Sequence, residues 1–279
     1  MRAAEPVARR LRLDAELVRR GLARSRVHAA ELIAAGRVSV SGAVASKTAT
    51  GVSTDAAIVV RTDSGRPDYV SRGGHKLAGA LDTFGPHGFD VRDRRCLDAG
   101  ASTGGFTDVL LRAGAREVIA VDVGYGQLAW SLRSDPRVRV LDRTNVRDLT
   151  LTDVGAPVEI VVADLSFISL RLVLPMLADV SSETADLALL VKPQFEVGRQ
   201  NIGGGVVRDP QLRAGAVMSA AKAARECGLG VRMVTASPLP GPAGNVEYFL
   251  WLRRDAPDIE EAEVARVVAT GPTGEKVGQ

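Results

Sequence analysis

The stretch Leu97-Asp98-Ala99-Gly100-Ala101-Ser102-Thr103-Gly104-Gly105-Phe106-Thr107 constrains this chain more than any other, because an apolar run ends in an acid and passes through a glycine-rich turn into a helix-compatible segment. Gly100 permits a sharp turn, and Gly104 and Gly105 permit close approach of backbone and ligand. A second acid, Asp122, ends the run VIAVD 22 residues after Gly100, where an acceptor for ribose hydroxyls is expected. Around this turn, short apolar runs (RCLDAG, REVIAVDVG, VRVLD, VEIVVADLSF, LALLVKP) alternate with helix-compatible stretches (GFTDVLLRAG, LRLVLPMLADV). Such alternation predicts an α/β doubly wound parallel sheet, Rossmann-like, whose ligands sit at the carboxyl ends of the strands. The unbroken runs Ile160–Ala163 and Leu187–Val191 suit central strands covered on both faces. The spacing Asp-x-Gly-x-x-x-Gly-Gly departs from the dinucleotide pattern Gly-x-Gly-x-x-Gly and argues against a dehydrogenase.

Charge divides the chain. Residues 1–62 carry 11 Lys and Arg against 5 Asp and Glu, a net +6 in a chain whose total is +3, so the remainder is −3. A compact basic module suggests attraction to a polyanion such as nucleic acid. Within it, Leu13, Leu17 and Val18 recur at helical spacing, and Val27, Ala30, Leu32 and Ile33 begin a second helical set. Gly21 closes the first helix, Ser25 caps the second, and Gly36 precedes the alternating stretch Arg37–Gly42, a strand running into a turn. Arg19, Arg20, Arg24, Arg26, Arg37 and Lys47 fall at or near the element ends, where side chains can converge on phosphates rather than pack inward.

The pattern from Arg12 to Lys47 (leucine and aspartate, then Gly-Leu-Ala, Ser-Arg, paired alanines and Gly-x-Val-x-Val-x-Gly) resembles the S4 RNA-binding domain, a small α+β unit. The resemblance implies structured RNA as partner, read through shape, phosphates and 2′-hydroxyls. The turn after Leu97, for its part, resembles motif I of S-adenosylmethionine-dependent methyltransferases. That implies S-adenosylmethionine as cofactor, held by Asp98, Gly100, Ser102, Gly104, Gly105, Phe106 and Asp122, with Asn145 and Val146 in the segment flanking the adenine.

Four ionisable residues stand where a site would form: Lys76 in SRGGHKL, Asp164 ending IVVAD, Lys192 ending LALLVK, and Glu247 in GNVEYFLWL. A ribose hydroxyl becomes a good nucleophile only as its proton is removed. A lysine can take that proton only when neutral, a state that partial burial beside a second ammonium favours. Lys192 fits that logic, with Lys76 near it, while Asp164 and Glu247 would hold the lysines and the hydroxyl. The order Lys-Asp-Lys-Glu resembles the tetrad of the FtsJ-like ribose 2′-O-methyltransferases. Together with YVSRGGHKL, LDAGASTGGFTD, DLSFISL and LVKPQFEVGR, it resembles the TlyA, or haemolysin A-like, family of rRNA 2′-O-methyltransferases over about residues 8–254. The family implies methylation of cytidine ribose in 16S and 23S rRNA within ribosomal subunits, and a monomer is expected.

These readings give an S4-like domain over 1–62, a linker over 63–71, an FtsJ-like methyltransferase domain over 72–254 and a partly disordered tail over 255–279. Phe167, beside Asp164, is the candidate for stacking a base. The glycine-rich segment GRQNIGGGVVRDP after Lys192 is either a lid or a surface connection. Two alternatives stay open: a ribosome-assembly RNA-binding protein without catalysis, and a nucleobase rRNA methyltransferase. The latter calls for an Asn-Pro-Pro-Tyr-like or cysteine arrangement that DLSF lacks. No run reaches the roughly 18 apolar residues of a membrane helix, and the first 20 residues lack the apolar centre of a signal peptide. A cytoplasmic protein without a membrane partner is therefore expected, and membrane lysis has no support. Cys96, Cys227, His28, His75 and His87 are too scattered for a disulfide framework or a metal site, so no metal is expected.

Overall fold

The structure, a computed structural model, describes residues 10–23, 25–61, 67–198 and 204–272. It divides into two compact units, Met1–Ser71 and Arg72–Gln279.

In the first unit, strand β1 (Arg10–Arg12) leads directly into helices α1 (Leu13–Arg19) and α2 (Arg26–Ala34). The strands β2 (Val38–Val40), β3 (Ala43–Val44), β4 (Gly51–Ser53) and β5 (Ile58–Val60) follow. β1 pairs with β4, and β2 lies between β3 and β5, all antiparallel. As expected, the Ser25 hydroxyl caps α2 by accepting from the His28 amide at 3.1 Å. Ser41 (φ 48°) and Gly42 (φ 87°) form the β2–β3 turn, and two successive positive φ values match the twist of a two-residue hairpin. Leu13, Leu17, Ala29, Leu32, Ile33, Val38 and Val52 make the core. Val27 does not join it: the inward face of α2 runs through Ala29, Leu32 and Ile33, and Val27 is 70% exposed.

The second unit contains, in order, α3 (Gly73–Phe84), β6 (Arg95–Ala99), α4 (Gly105–Arg112), β7 (Glu117–Val121), α5 (Trp130–Arg133), β8 (Val138–Leu141), α6 (Leu151–Val154) and β9 (Val158–Ala163). It continues with α7 (Leu174–Asp179), β10 (Ser181–Val191), α8 (Pro193–Glu196), α9 (Pro210–Glu226), β11 (Gly230–Ala236), β12 (Tyr248–Arg253) and α10 (Glu261–Thr270). The seven strands form one sheet in the order β11-β12-β10-β9-β6-β7-β8. Strands β10 to β8 are mutually parallel, and β12 runs antiparallel to both its neighbours. The chain works outward from β6 through β7 to β8, then returns to place β9 on the other side of β6. The crevice above the β6/β9 junction is therefore the topological switch point where ligands bind in such sheets.

Leu97, Ile119, Val161, Leu187 and Leu189 of the central strands share one core with Leu174 and Leu177 of α7 and Val217 of α9. Within the expected tail, residues 261–270 form a helix, and residues 273–279 lie outside the described residues. Val264, Val267 and Val268 sit at helical spacing, so α10 has an apolar stripe, and this stripe joins the core beside α9. Among the described residues, no helix is long and apolar enough to cross a membrane.

Candidate active site

Three strand ends converge on a cavity of about 480 Å³: Gly100 after β6, Asp122 after β7 and Asp164 after β9 all line it. Ser102, Asn145 and Val146 complete the contribution of the expected cofactor residues. The volume suits a small-molecule cofactor, for which sites run from roughly 300 to 1,000 Å³. The Asp122 carboxylate holds the turn's shape, with Oδ2 accepting from the Ser102 amide (2.8 Å) and Oδ1 from the Gly124 amide (2.7 Å). Gly100 (φ 86°) is required by its surroundings, since a Cβ there would lie 2.9 Å from the Asp164 carbonyl oxygen and 3.0 Å from Leu165 Cδ2.

The other four expected cofactor residues stand behind the cavity. Gly104 (φ 98°) lets the turn close over α5, because a Cβ would collide with Leu132 and lie 2.8 Å from Leu128 Cδ1. Gly105 is the buried first residue of α4, and Phe106 packs on Phe249 with ring centroids 6.0 Å apart. Asp98 is fully buried. Its Oδ2 accepts from the Thr107 hydroxyl at 2.6 Å, its Oδ1 has no hydrogen-bond partner among the described residues, and burial pushes its carboxyl up to about 7. The glycine spacing thus serves packing as much as ligand approach.

The four ionisable residues come together as one chain of charges. Glu247 Oε2 meets Lys76 Nζ at 2.5 Å, Lys76 Nζ lies 3.8 Å from Asp164 Oδ2, and Asp164 Oδ1 lies 2.5 Å from Lys192 Nζ. The elements explain the convergence: Lys76 is on the first turn of α3, Asp164 and Lys192 follow the adjacent parallel strands β9 and β10, and Glu247 precedes β12, the other neighbour of β10. Both lysines and Glu247 are buried, and Asp164 opens onto the cavity. Two carboxylates thereby balance two ammonium groups that could not be buried singly.

The sequence reading missed Ser166, which lines the cavity and accepts from Lys192 Nζ at 2.9 Å. Its signal was its position, two residues after the strand-ending Asp164. Phe167 is 92% exposed at the cavity's edge, held at φ 65°, with its ring 5.3 Å from that of Phe195. Of the glycine-rich segment after Lys192, residues 199–203 lie outside the described residues. Beyond them, Asn245 anchors the chain by donating to the Gly205 carbonyl (2.8 Å) and accepting from the Val207 amide (2.9 Å).

In the first unit, the basic residues are more constrained than their positions suggested. Arg19 and Arg20 both donate to the buried Glu16 carboxylate (2.6 and 2.7 Å), which these guanidinium groups hold below the usual carboxylate range. Arg20 packs inward, contrary to expectation: it also donates to the carbonyls of Ala56 (2.7 Å) and Thr54 (3.0 Å) and braces α1 against the 53–56 turn. Arg26 pairs with the buried Asp14 at 2.8 Å, and Arg37 Nε donates to the Arg61 carbonyl. The side chains of Arg19 and Arg26 remain half open to solvent despite their partners, and Lys47 is exposed. Arg24 lies outside the described residues.

A mostly parallel sheet closed by the antiparallel β12, with its switch point at a glycine turn, an acid at the next strand end and a cavity between them, has the architecture of the S-adenosylmethionine-dependent methyltransferases. FtsJ-like methyltransferases match residues 69–254 of this chain, and the S4 domain matches residues 11–58. The chain belongs to the TlyA, or haemolysin A-like, family of rRNA 2′-O-methyltransferases. It is 60% identical to the 16S/23S rRNA (cytidine-2′-O)-methyltransferase TlyA of Mycobacterium tuberculosis, over 95% of this chain and 100% of that protein. It is 38% identical to Hemolysin A of Brachyspira hyodysenteriae, over 86% of this chain and 98% of that one. A solved structure from Streptococcus thermophilus, described as a candidate hemolysin, superposes with a TM-score of 0.74 at 36% identity, covering 94% of this chain and 96% of that one.

Proposed function

We propose that this protein transfers a methyl group from S-adenosylmethionine to the 2′-oxygen of cytidine in 16S and 23S rRNA, acting on ribosomal subunits in the cytoplasm. The observation that carries the reading is the buried chain Glu247–Lys76–Asp164–Lys192, which brings an amine to the edge of the cavity beside Ser166.

The cavity residues suit the cofactor chemically. Asp122 offers carboxylate oxygens to a ribose diol, Gly100 leaves backbone where a side chain would obstruct, and Val123, Val146 and Ile168 offer apolar surface to an adenine. When bound, S-adenosylmethionine supplies a methyl group on a positively charged sulfonium, which makes that carbon electrophilic. The remaining steps belong to the chain's own residues. Ser166 and Lys192 Nζ orient the 2′-hydroxyl. Once its ammonium has given up a proton to solvent, the Lys192 amine, 2.9 Å from Ser166 Oγ, takes the hydroxyl's proton as the oxygen attacks in line. Lys76, pinned by Glu247, holds the other oxygen of Asp164. Phe167, exposed at the rim, offers a face on which a base can stack. Lys47 and the outer faces of Arg19, Arg26 and Arg37, with Arg24, serve RNA phosphates.

The test is methyl transfer from tritiated S-adenosylmethionine to ribosomal subunits, followed by nuclease P1 digestion and mass spectrometry. The expected product is 2′-O-methylcytidine, with Lys192→Ala slowed by about 10²-fold or more. A methylated base, or wild-type rate in Lys192→Ala, would overturn the assignment.

A further inference from the structure

The Lys192 amine meets Asp164 and Ser166, yet these residues sit on separate segments: Lys192 ends β10, and Asp164 and Ser166 belong to the irregular turn between β9 and α7. A parallel ladder aligns β9 and β10 only as far as Ala163 and Leu189. Beyond that point, something else has to hold the two carboxyl-end segments in register.

Glu196, the last residue of α8 and four residues past Lys192, supplies such a tie. Its Oε2 accepts from the Ser169 hydroxyl at 2.6 Å, and its Oε1 accepts from the Leu170 amide at 2.8 Å. The carboxylate thus grips the far end of the turn that carries Asp164, Ser166 and Phe167. Between the two anchor points, Phe195 and Phe167 face each other at 5.3 Å. The turn is held at three places: by Lys192 at its start, by Phe195 in its middle and by Glu196 at its end. The Glu196 carboxyl is half-buried, and burial raises it above its ordinary range while the Ser169 and Leu170 hydrogen bonds oppose the shift. Its shape answers two donors at once, which no apolar side chain could do.

We propose that Glu196 is a positioning residue that clamps the 164–170 turn against the segment bearing Lys192, and so sets where Ser166 and the Lys192 amine stand relative to the cavity. The inference rests on the methyl-transfer reading above. It adds a residue that touches neither cofactor nor substrate. A displacement near 1 Å at a reacting group can cost about a hundredfold in rate, so loss of a clamp four residues from Lys192 has a large kinetic effect.

The experiment compares Glu196→Ala, Glu196→Gln and Ser169→Ala in the full-length protein. Glu196→Ala should lower kcat on ribosomal subunits by about tenfold or more. The dissociation constant for S-adenosylmethionine, measured by calorimetry, should change by less than kcat does, because Gly100, Asp122 and Asn145 are carried by other strands while Ile168 of the clamped turn contributes only part of the apolar wall. Glu196→Gln should recover most of the rate, since its carbonyl can accept from the Leu170 amide while its NH2 donates to the Ser169 oxygen. Ser169→Ala should fall between the two, and it carries the kinetic test if Glu196→Ala does not fold. Amide hydrogen exchange across residues 165–171 should speed up in Glu196→Ala and remain near wild type in Glu196→Gln, whichever RNA proves to be the substrate. Failure of the methylation reading would appear as an inactive wild type with the exchange pattern intact. The clamp itself is overturned by an active Glu196→Ala with unchanged kcat, by a Glu196→Gln as slow as Glu196→Ala, or by exchange that does not respond.

Discussion

Removal of the Glu247 carboxylate is the sharpest test of the buried charge chain. At an effective dielectric of about 20, the 2.5 Å contact between Glu247 and Lys76 is worth about 7 kcal/mol of gross attraction, and the 3.8 Å contact between Lys76 and Asp164 about 4 kcal/mol. Much of that attraction only offsets the cost of taking the charges out of water. Breaking one partner of such a pair typically costs 3 to 5 kcal/mol, because the other charge is stranded. In Glu247→Ala, Lys76 keeps Asp164, so the lower end, about 3 kcal/mol, is expected. With a urea slope of about 2 kcal/mol per molar, the unfolding midpoint should fall by about 1.5 M. Tryptophan fluorescence reads this directly, since Trp130 and Trp251 both lie in the second unit. Lys76→Met combined with Glu247→Leu removes both charges and should return stability to within about 1 kcal/mol of wild type while leaving methyl transfer lost. A loss below about 1 kcal/mol in Glu247→Ala would refute the reasoning, and so would a double variant no more stable than the single one.

Asp98 makes stability depend on pH. Its carboxyl is raised from 3.8 to about 7 in the folded chain, so the unfolded state loses its proton first as pH rises. Stability should therefore decline between roughly pH 4 and 7, by up to about 4 kcal/mol, and Asp98→Asn should flatten that decline in urea titrations at pH 4, 6 and 8. Phe167→Ala should change the unfolding midpoint little, because the ring is 92% exposed, while lowering kcat/KM for ribosomal subunits by about tenfold. Arg20→Ala should destabilise the first unit by about 1 to 3 kcal/mol in circular-dichroism melts, since it removes one of the two guanidinium partners of the buried Glu16 and the hydrogen bonds to the Ala56 and Thr54 carbonyls. Lys47→Ala should leave the melt unchanged and weaken RNA binding. Rising salt should weaken RNA binding steeply and S-adenosylmethionine binding hardly at all, as filter binding and calorimetry would show, because only RNA releases many counterions.

Much of this was legible along the chain because the signals are local. Apolar runs interrupted by glycine turns report strands and helices directly, and the positions of Asp122, Asp164 and Lys192 at strand ends follow from where those runs stop. Less legible was the purpose of each residue within a motif. Gly104 and Phe106 belong to the glycine-rich turn, yet their neighbours are Leu132 and Phe249, which sequence spacing does not bring near. Charge counting likewise placed Arg20 among the RNA contacts. It could not show that Glu16, one turn earlier on the same helix, is buried and takes that guanidinium inward.

The sequence by itself determined the order of elements, the two-part division of charge and the identity of the ionisable groups, since each of these is carried by neighbours in the chain. Tertiary structure alone decided which groups meet. Lys76 and Glu247 are 171 residues apart and touch because α3 and the β12 edge both close on the carboxyl end of β10. Ser166 and Glu196 acquired partners only once the turns after β9 and β10 lay side by side. Such pairings depend on sheet order and on the direction of side chains leaving it, and periodicity along one chain records neither.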